Sequence, residues 1–352
     1  MRERRTIMVI DSNLYWFPEQ LFTDEEKIER FLSEIPVEYG IHGSLREDPD
    51  THLRQYVIEK PAGCQNLNYV QGEYLLERQL ADMDAGGIGK AVLKLSCQQE
   101  WISLDTCRWF NTLMAEHVRE SNGRLAALAV VPPYGTPSVL AELERCFDTL
   151  GMKGVQVSAH YGNLYLDHEA FASFFSWLNE RHATVYVHHS PVPVQYDSLC
   201  DYNNLRRSYG RCIDQCTAIG RELFGGFFDR YPNLRLVHSM LGGGFFAYTS
   251  LWFPKKPKTQ GAVSRFTDDN EKILSQLKHN LFFEMSHAQP WGKDQMECAV
   301  KTLGADHILF GSSYPVRKEW LLEGAEFVRG LDISEEEKEM ILHGNAENIY
   351  HI

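Results

Sequence analysis

Four side chains able to move protons, His160, His188, His238 and Glu284, each lie at or near the end of an apolar stretch: "GVQVSAH", "VYVHHSP", "NLRLVHSM" and "NLFFEMSH". Imidazoles exchange protons near neutrality, and a carboxylate orients an imidazole or acts as a base, so these types at strand ends suit general acid–base work. His160 and His188 fall on neighbouring strands. Strand alternation keeps His238 on the face of Met240, which predicts that it points inward, one layer deeper. Read alone, His238 is equally a satisfied core residue. His189 alternates away from His188. Near the start, "VIDSNLYWFPE" closes the apolar run Ile7 to Ile10 with Asn13, Tyr15, Trp16 and Phe17.

The aromatic residues near the strand ends (Tyr15, Trp16, Phe17, Trp101 and Trp291) predict an apolar pocket for a ring-shaped substrate. Arg317, just after "GSSYP", is placed to anchor a carboxylate, or equally to face solvent at a helix start. Cys97 in "LKLSCQQEW" is a candidate nucleophile of low rank. Cys212 and Cys216 are four apart on an expected helix, but two ligands do not make a metal site, so they read as ordinary thiols. Asp229 in "DRYP" reads as structural.

These residues need a scaffold that gathers strand ends. Apolar runs at 91–96, 124–132, 154–160, 183–190, 233–240, 280–287 and 307–315 follow the first strand, each preceded by a helix-like segment ending in a breaker. Eight such units predict an α/β fold, a closed (β/α)8 TIM barrel, with the polar strand ends lining the active face. Residues 16–70 carry many polar, Pro and Gly residues with little periodicity. They are expected to be an insertion that serves as a lid within one domain spanning 1–352.

The bulk composition narrows the function. Of 352 residues, 43% are hydrophobic and 24% charged, as in folded globular chains. A net charge of -13 without a basic run beyond "RERR" argues against nucleic acid. The apolar stretches are too short for a signal peptide or a membrane span, so a cytoplasmic location is expected. Eight scattered cysteines without CxxC spacing suit reduced thiols.

Taken together, "GADHILFGSSYP" with "EEEKEMILHGNAENIY", "LFGGFFDRYPNLRLVHSMLGGG", and "GMKGVQVSAH" before "VYVHHSP" resemble the amidohydrolase superfamily. The branch resembled is the amidohydrolase-related group that includes aminocarboxymuconate semialdehyde decarboxylase and the dihydroxybenzoate decarboxylases. The resemblance implies non-oxidative decarboxylation, and a divalent metal held by His-x-His on strand one, a His on each of strands five and six, and an Asp on strand eight. In this chain those positions are Asn13, Tyr15, His188, Met240 and Ser313, so only one ligand remains.

The expectation is therefore a metal-independent lyase with no cofactor. His188, His238, His160 and Glu284 would be catalytic, and Asn13, Tyr15, Trp16, Ser313 and Arg317 would bind a small ring carrying a carboxylate. A histidinium near pH 7 would supply the proton. The alternatives are a metal-independent hydrolase of a lactone, amide or ring C–C bond, and an inactive barrel that binds a small molecule. A homodimer is left open.

Overall fold

The computed structural model describes residues 8–37, 40–60, 62–96, 101–190, 194, 197–199, 201–253 and 270–352, the Asn66 side chain excepted. Cys97 lies outside the described residues. The first barrel strand, Val9–Tyr15, pairs in parallel with Ile88–Lys94, and that strand pairs with Leu125–Ala127. The third strand continues past Leu128 as Ala129–Val130 and pairs with Val155–Ser158. Thr184–His188, Arg235–His238, Leu281–Glu284 and Ile308–Leu309 follow in order, all parallel. The ring closes where Ser12 N–H donates to the Phe310 carbonyl (2.9 Å) and Tyr15 N–H to that of Tyr314 (2.8 Å). This is a (β/α)8 barrel.

Alternation along these strands divides the lumen into two layers. Ile10, Val92, Leu128, Tyr186, Val237, Phe282 and Leu309 form one buried cluster inside the ring. Ala346, Ile349 and Tyr350, from the helix Asn345–Tyr350, pack against that cluster. Two residues further along their strands come Lys94, His188, Ser239 and Glu284, all buried. A side chain at i+2 keeps the inward direction, so the polar residues sit directly above the apolar plug. The fourth strand sends Gln156 inward instead. Its amide accepts from Leu95 N–H (2.9 Å) and donates to the Leu95 carbonyl (2.6 Å), satisfying backbone that the split third strand leaves over.

The same alternation corrects the expectation for His238. Val237 is the inward residue, so His238 faces out, into the layer between the barrel and the helix Gly210–Phe224. Its Nδ1 is 2.9 Å from Gln215 Oε1 and its Nε2 is 2.9 Å from Glu222 Oε2. Gln215 Nε2 donates to the Val187 carbonyl (3.3 Å), which turns its oxygen toward the imidazole. His238 is a clamp between wall and helix. Inward facing was expected because Met240 was taken as its strand neighbour, yet the strand ends at His238 and Met240 starts a left-handed turn (φ +57°).

Residues 16–70 differ from the structureless insertion that was expected. They form the helices Gln20–Thr23 and Glu25–Ser33 and an antiparallel sheet of His42–Glu47, Arg54–Glu59 and Gln65–Val70. Phe17 is the hub: it stacks on Tyr69 (4.7 Å between centroids) and meets Phe22, Phe31 and Tyr56 edge-on. The Tyr69 hydroxyl donates to the Ser96 carbonyl just past the second barrel strand. Glu34 accepts from Ser103 N–H (2.8 Å) and from the hydroxyls of Ser103 and Thr106 (2.6 Å each) at the start of the helix Leu104–Glu120. The insertion is thus tied to the ring where the second strand ends.

Removing His238 leaves buried Glu222 Oε2 and Gln215 Oε1 without their partner, at a cost of about 1–3 kcal/mol for an unsatisfied buried group. His238→Ala should therefore lower the urea unfolding free energy by about that amount. Adding Glu222→Leu to His238→Ala should recover part of the loss. Additive losses in the two variants would show that the pair is not a clamp.

Candidate active site

Five residues of the polar layer come from the ends of four strands. Asn13 and Tyr15 close the first, His188 the fifth and Glu284 the seventh, while Ser313 follows the eighth in a left-handed conformation (φ +57°) that few L residues adopt. All five are buried. Hydrogen-bond donors and acceptors fix the direction of the network they form. His188 Nδ1 lies 2.7 Å from the His189 carbonyl, which can only accept, so Nδ1 carries the proton and Nε2 is an acceptor in the neutral ring. The Tyr15 hydroxyl, 2.8 Å away, donates to that Nε2. Its oxygen then accepts from Ser313 Oγ (3.3 Å), and Ser313 Oγ accepts from Asn13 Nδ2 (3.0 Å). A directed chain runs from Asn13 through Ser313 and Tyr15 to His188.

Glu284 anchors the far end. Its Oε2 accepts from Asn13 Nδ2 (2.8 Å), the Tyr186 hydroxyl (2.9 Å) and Ser286 Oγ (3.0 Å), and its Oε1 from Ser286 N–H. Gly311 makes room for it, since a Cβ at that position would overlap the carboxylate. Among the described residues Glu284 hydrogen-bonds no imidazole, and the hydrogen-bond chain to His188 starts from it at Asn13. Burial raises its pKa, while the Lys94 charge and the donors from Tyr186, Asn13 and Ser286 oppose that rise.

Lys94 was not foreseen as part of this layer. Its Nζ donates to the Ser12 carbonyl and stands 3.7 Å from the centroid of the Tyr186 ring. Burial pulls its pKa down to about 7 against the attraction of Glu284 and Asp11. Asp11, also buried, accepts from the backbone of Asn13 (2.8 Å) and Ser312 (3.0 Å). The signal was a single lysine inside the apolar run "AVLKLS", at the inward parity set by Val92.

The electrostatics correct the expected histidinium. Burial holds His188 and His189 well below the ordinary imidazole value, and the positive charge of Arg211 adds to this in both. His287, beside Ser286 Oγ (3.0 Å), is pushed down to about 3 by burial and then by Arg211, Arg207 and Arg317. At neutral pH these are neutral rings. His188 rests as a base whose lone pair already holds the Tyr15 proton.

Several expected residues lie elsewhere. His238 is the clamp described above. His160 donates from Nδ1 to the Gly162 carbonyl (2.8 Å) and sets Nε2 3.2 Å from Asp214 Oδ2, so it faces the helix Gly210–Phe224 and not the Tyr15–His188 pair. The Trp16 ring packs against Phe110 and His117 (6.1 Å each), outside the barrel. The Arg317 side chain is 60% exposed and 3.6 Å from Glu319. Burial raises the thiols of Cys212 and Cys216 to about 11 and about 12, so both stay protonated.

The residues at the metal positions do not fit a divalent ion. Asn13 Oδ1 is a buried acceptor with no hydrogen-bond partner, a usable oxygen, but it is isolated. The His188 lone pair is taken by Tyr15, and the remaining positions offer a neutral hydroxyl and a thioether where hard or borderline cations want carboxylate and imidazole. The Lys94 ammonium adds repulsion. Among the described residues, no three of His, Cys, Asp and Glu gather as a metal site.

Comparison with known proteins agrees with this geometry on fold and lineage. Residues 76–352 match the amidohydrolase family. The chain is 27% identical over 248 residues to a 2-amino-3-carboxymuconate-6-semialdehyde decarboxylase of Dictyostelium discoideum, covering 69% of this chain and 66% of that one. It is 25% identical over 298 residues to a gamma-resorcylate decarboxylase of a Polaromonas species, covering 78% and 86%. The crystal structure of a 5-carboxyvanillate decarboxylase from Novosphingobium aromaticivorans, with bound manganese, superposes with a TM-score of 0.76 at 19% identity over 98% of this chain and 97% of that one.

The buried neutral imidazoles give acid sensitivity a definite sign. An unfolded His287 takes up a proton below its ordinary value of 6.5, whereas the folded one does so only near 3. Between those values the unfolded chain holds more protons, so stability falls as pH falls. Replacing His287 with Gln removes that uptake. Between pH 6 and pH 4.5 the slope of unfolding free energy against pH should drop by about 1.4 kcal/mol per unit relative to the parent, measured by urea denaturation. An unchanged slope would mean that His287 is solvated in the folded protein.

Proposed function

We propose that this chain, which belongs to the amidohydrolase family, is a metal-independent decarboxylase-type lyase acting on a small aromatic or cyclic carboxylic acid. The decarboxylase relatives support a carbon–carbon lyase. The observation that carries the metal-independent reading is the directed chain Asn13–Ser313–Tyr15–His188 at the positions that would otherwise ligate a metal.

Losing carbon dioxide from an electron-rich ring requires a proton at the carbon that bears the carboxylate. The carbon–carboxylate bond then breaks, its electron pair restores the ring, and carbon dioxide departs. His188 Nε2 accepts a proton from an acidic hydroxyl of the bound acid, with Tyr15 swinging its own hydrogen bond to follow. The imidazolium so formed sits where burial disfavours it, so it is a strong acid and passes the proton on to carbon. The pair ends each turnover as it began. Asn13, held by Glu284, keeps Ser313 and Tyr15 aimed during the cycle.

Arg211 is buried, and its positive charge bears on His188, His189 and His287. It, and not the exposed Arg317, meets the substrate carboxylate. Residues 16–70 serve as the lid of the one barrel domain.

Carbon dioxide release should be screened over aromatic and cyclic carboxylic acids in the presence of a strong chelator, with turnover expected to persist. His188→Ala should lower kcat by about 10²- to 10⁴-fold with the fold intact, and His188→Gln should not restore it, because an amide cannot cycle a proton. Tyr15→Phe should also slow turnover, by less. Near-normal turnover in His188→Ala, or loss of activity on chelation, would overturn this reading.

A further inference from the structure

We propose that Lys94 is the resident cation of this barrel: its ammonium, fixed by the Ser12 carbonyl and the Tyr186 ring, balances Glu284 and Asp11 as a bound divalent metal would, and so positions Asn13. The inference rests on the metal-independent reading of the site, and it concerns charge, not turnover.

Burial raises the pKa of both Glu284 and Asp11, so a positive charge in the same lumen stabilises their ionised forms. Glu284 and Asp11 are fully buried on the seventh and first strands, and Lys94 is fully buried on the second. Their mutual attraction acts on Lys94 from both carboxylates. Tyr186 links cation to anion, with its ring face under the ammonium and its hydroxyl on Glu284 Oε2. Ser12, which accepts from Nζ, directly precedes Asn13, and Tyr186 lies two residues before His188 on the same strand. The ammonium is therefore held by the residue before Asn13 and by the ring two residues before His188.

The geometry also explains the residues around it. A metal would withdraw lone pairs from Asn13, Tyr15 and His188. With the charge supplied by a lysine, those groups are released to bond one another. An ammonium has three N–H groups; one is on Ser12 and one faces the Tyr186 ring, and the third meets no acceptor among the described residues. Lys94 is a positioning residue, acting on Asn13 through Glu284.

The test needs no substrate, so it separates this inference from the proposed reaction. Melting temperatures would be measured for the wild type, Lys94→Met, Glu284→Gln and the double variant. Each single change should lower Tm, and the double variant should recover at least half of the summed loss, because it removes Lys94 and Glu284 together and leaves Asp11 on its own donors, the backbone of Asn13 and Ser312 and the Ser312 hydroxyl. Strict additivity would overturn the proposal. Should Lys94→Met fail to fold, the wild type still decides: millimolar Mn2+ or Zn2+ should give no rise in Tm over protein in chelator and no saturable heat in calorimetry. One tightly bound metal per chain with Lys94 in place would equally overturn it.

Discussion

Charge buried in a closed barrel governs everything above it. Glu284 and Asp11 lie in a lumen whose floor is a plug of apolar side chains, and a carboxylate removed from water is tolerated only with donors and a counter-charge around it. Glu284 receives Asn13, Tyr186 and Ser286, and Lys94 supplies the positive charge. Asn13, once committed to Glu284, has its remaining N–H between Ser313 Oγ (3.0 Å) and Ser286 Oγ (3.1 Å). Ser313 can then only donate onward to Tyr15, and Tyr15 to His188. Each donor in that sequence follows from the one before it, while the His189 carbonyl and burial keep the His188 ring neutral with its proton on Nδ1.

The same burial decides which chemistry the imidazole can do. An exposed histidine near neutrality is a mixture of acid and base, whereas His188 is held neutral with one nitrogen spent on the His189 carbonyl. It has one lone pair to offer and a strong tendency to give back any proton it takes. That combination favours a reaction in which a proton is borrowed and returned within one turnover.

Much of the scaffold was legible, because eight apolar runs separated by helices permit few folds other than a closed parallel barrel. The ends of the strands were less so. Extending the sixth strand through Met240 gives His238 the face of Met240, but the strand ends at His238, Met240 begins a left-handed turn that no longer reports the strand's parity, and Val237 is the inward residue. The insertion looked irregular because its strands expose charged residues and bury only short segments such as Tyr56–Ile58. Asn13, Tyr15, His188, Ser313 and Glu284 were found from strand ends and resemblance, and the structure gathers them. Lys94 was passed over because a lysine in an apolar run reads as an interruption of the strand, and its meaning depends on partners 82 and 190 residues away, Ser12 and Glu284.

The residues that stand where the family resemblance implies metal ligands make sense as a set and not singly. Replacing a histidine ligand by Asn or Tyr in a metal-holding site strands the ion with too few donors. Replacing an aspartate by Ser313 removes negative charge that the ion balanced. With Lys94 present, however, a metal would place two cations against the same carboxylates, and the loss of ligands relieves that conflict. The neutral residues are then the ones a lysine-charged barrel requires: Asn13 and Ser313 both donate and accept, Tyr15 donates to a neutral ring, and none adds charge. Restoring any one ligand would leave a buried group without its partner, so the arrangement is held in place by the interdependence of its hydrogen bonds.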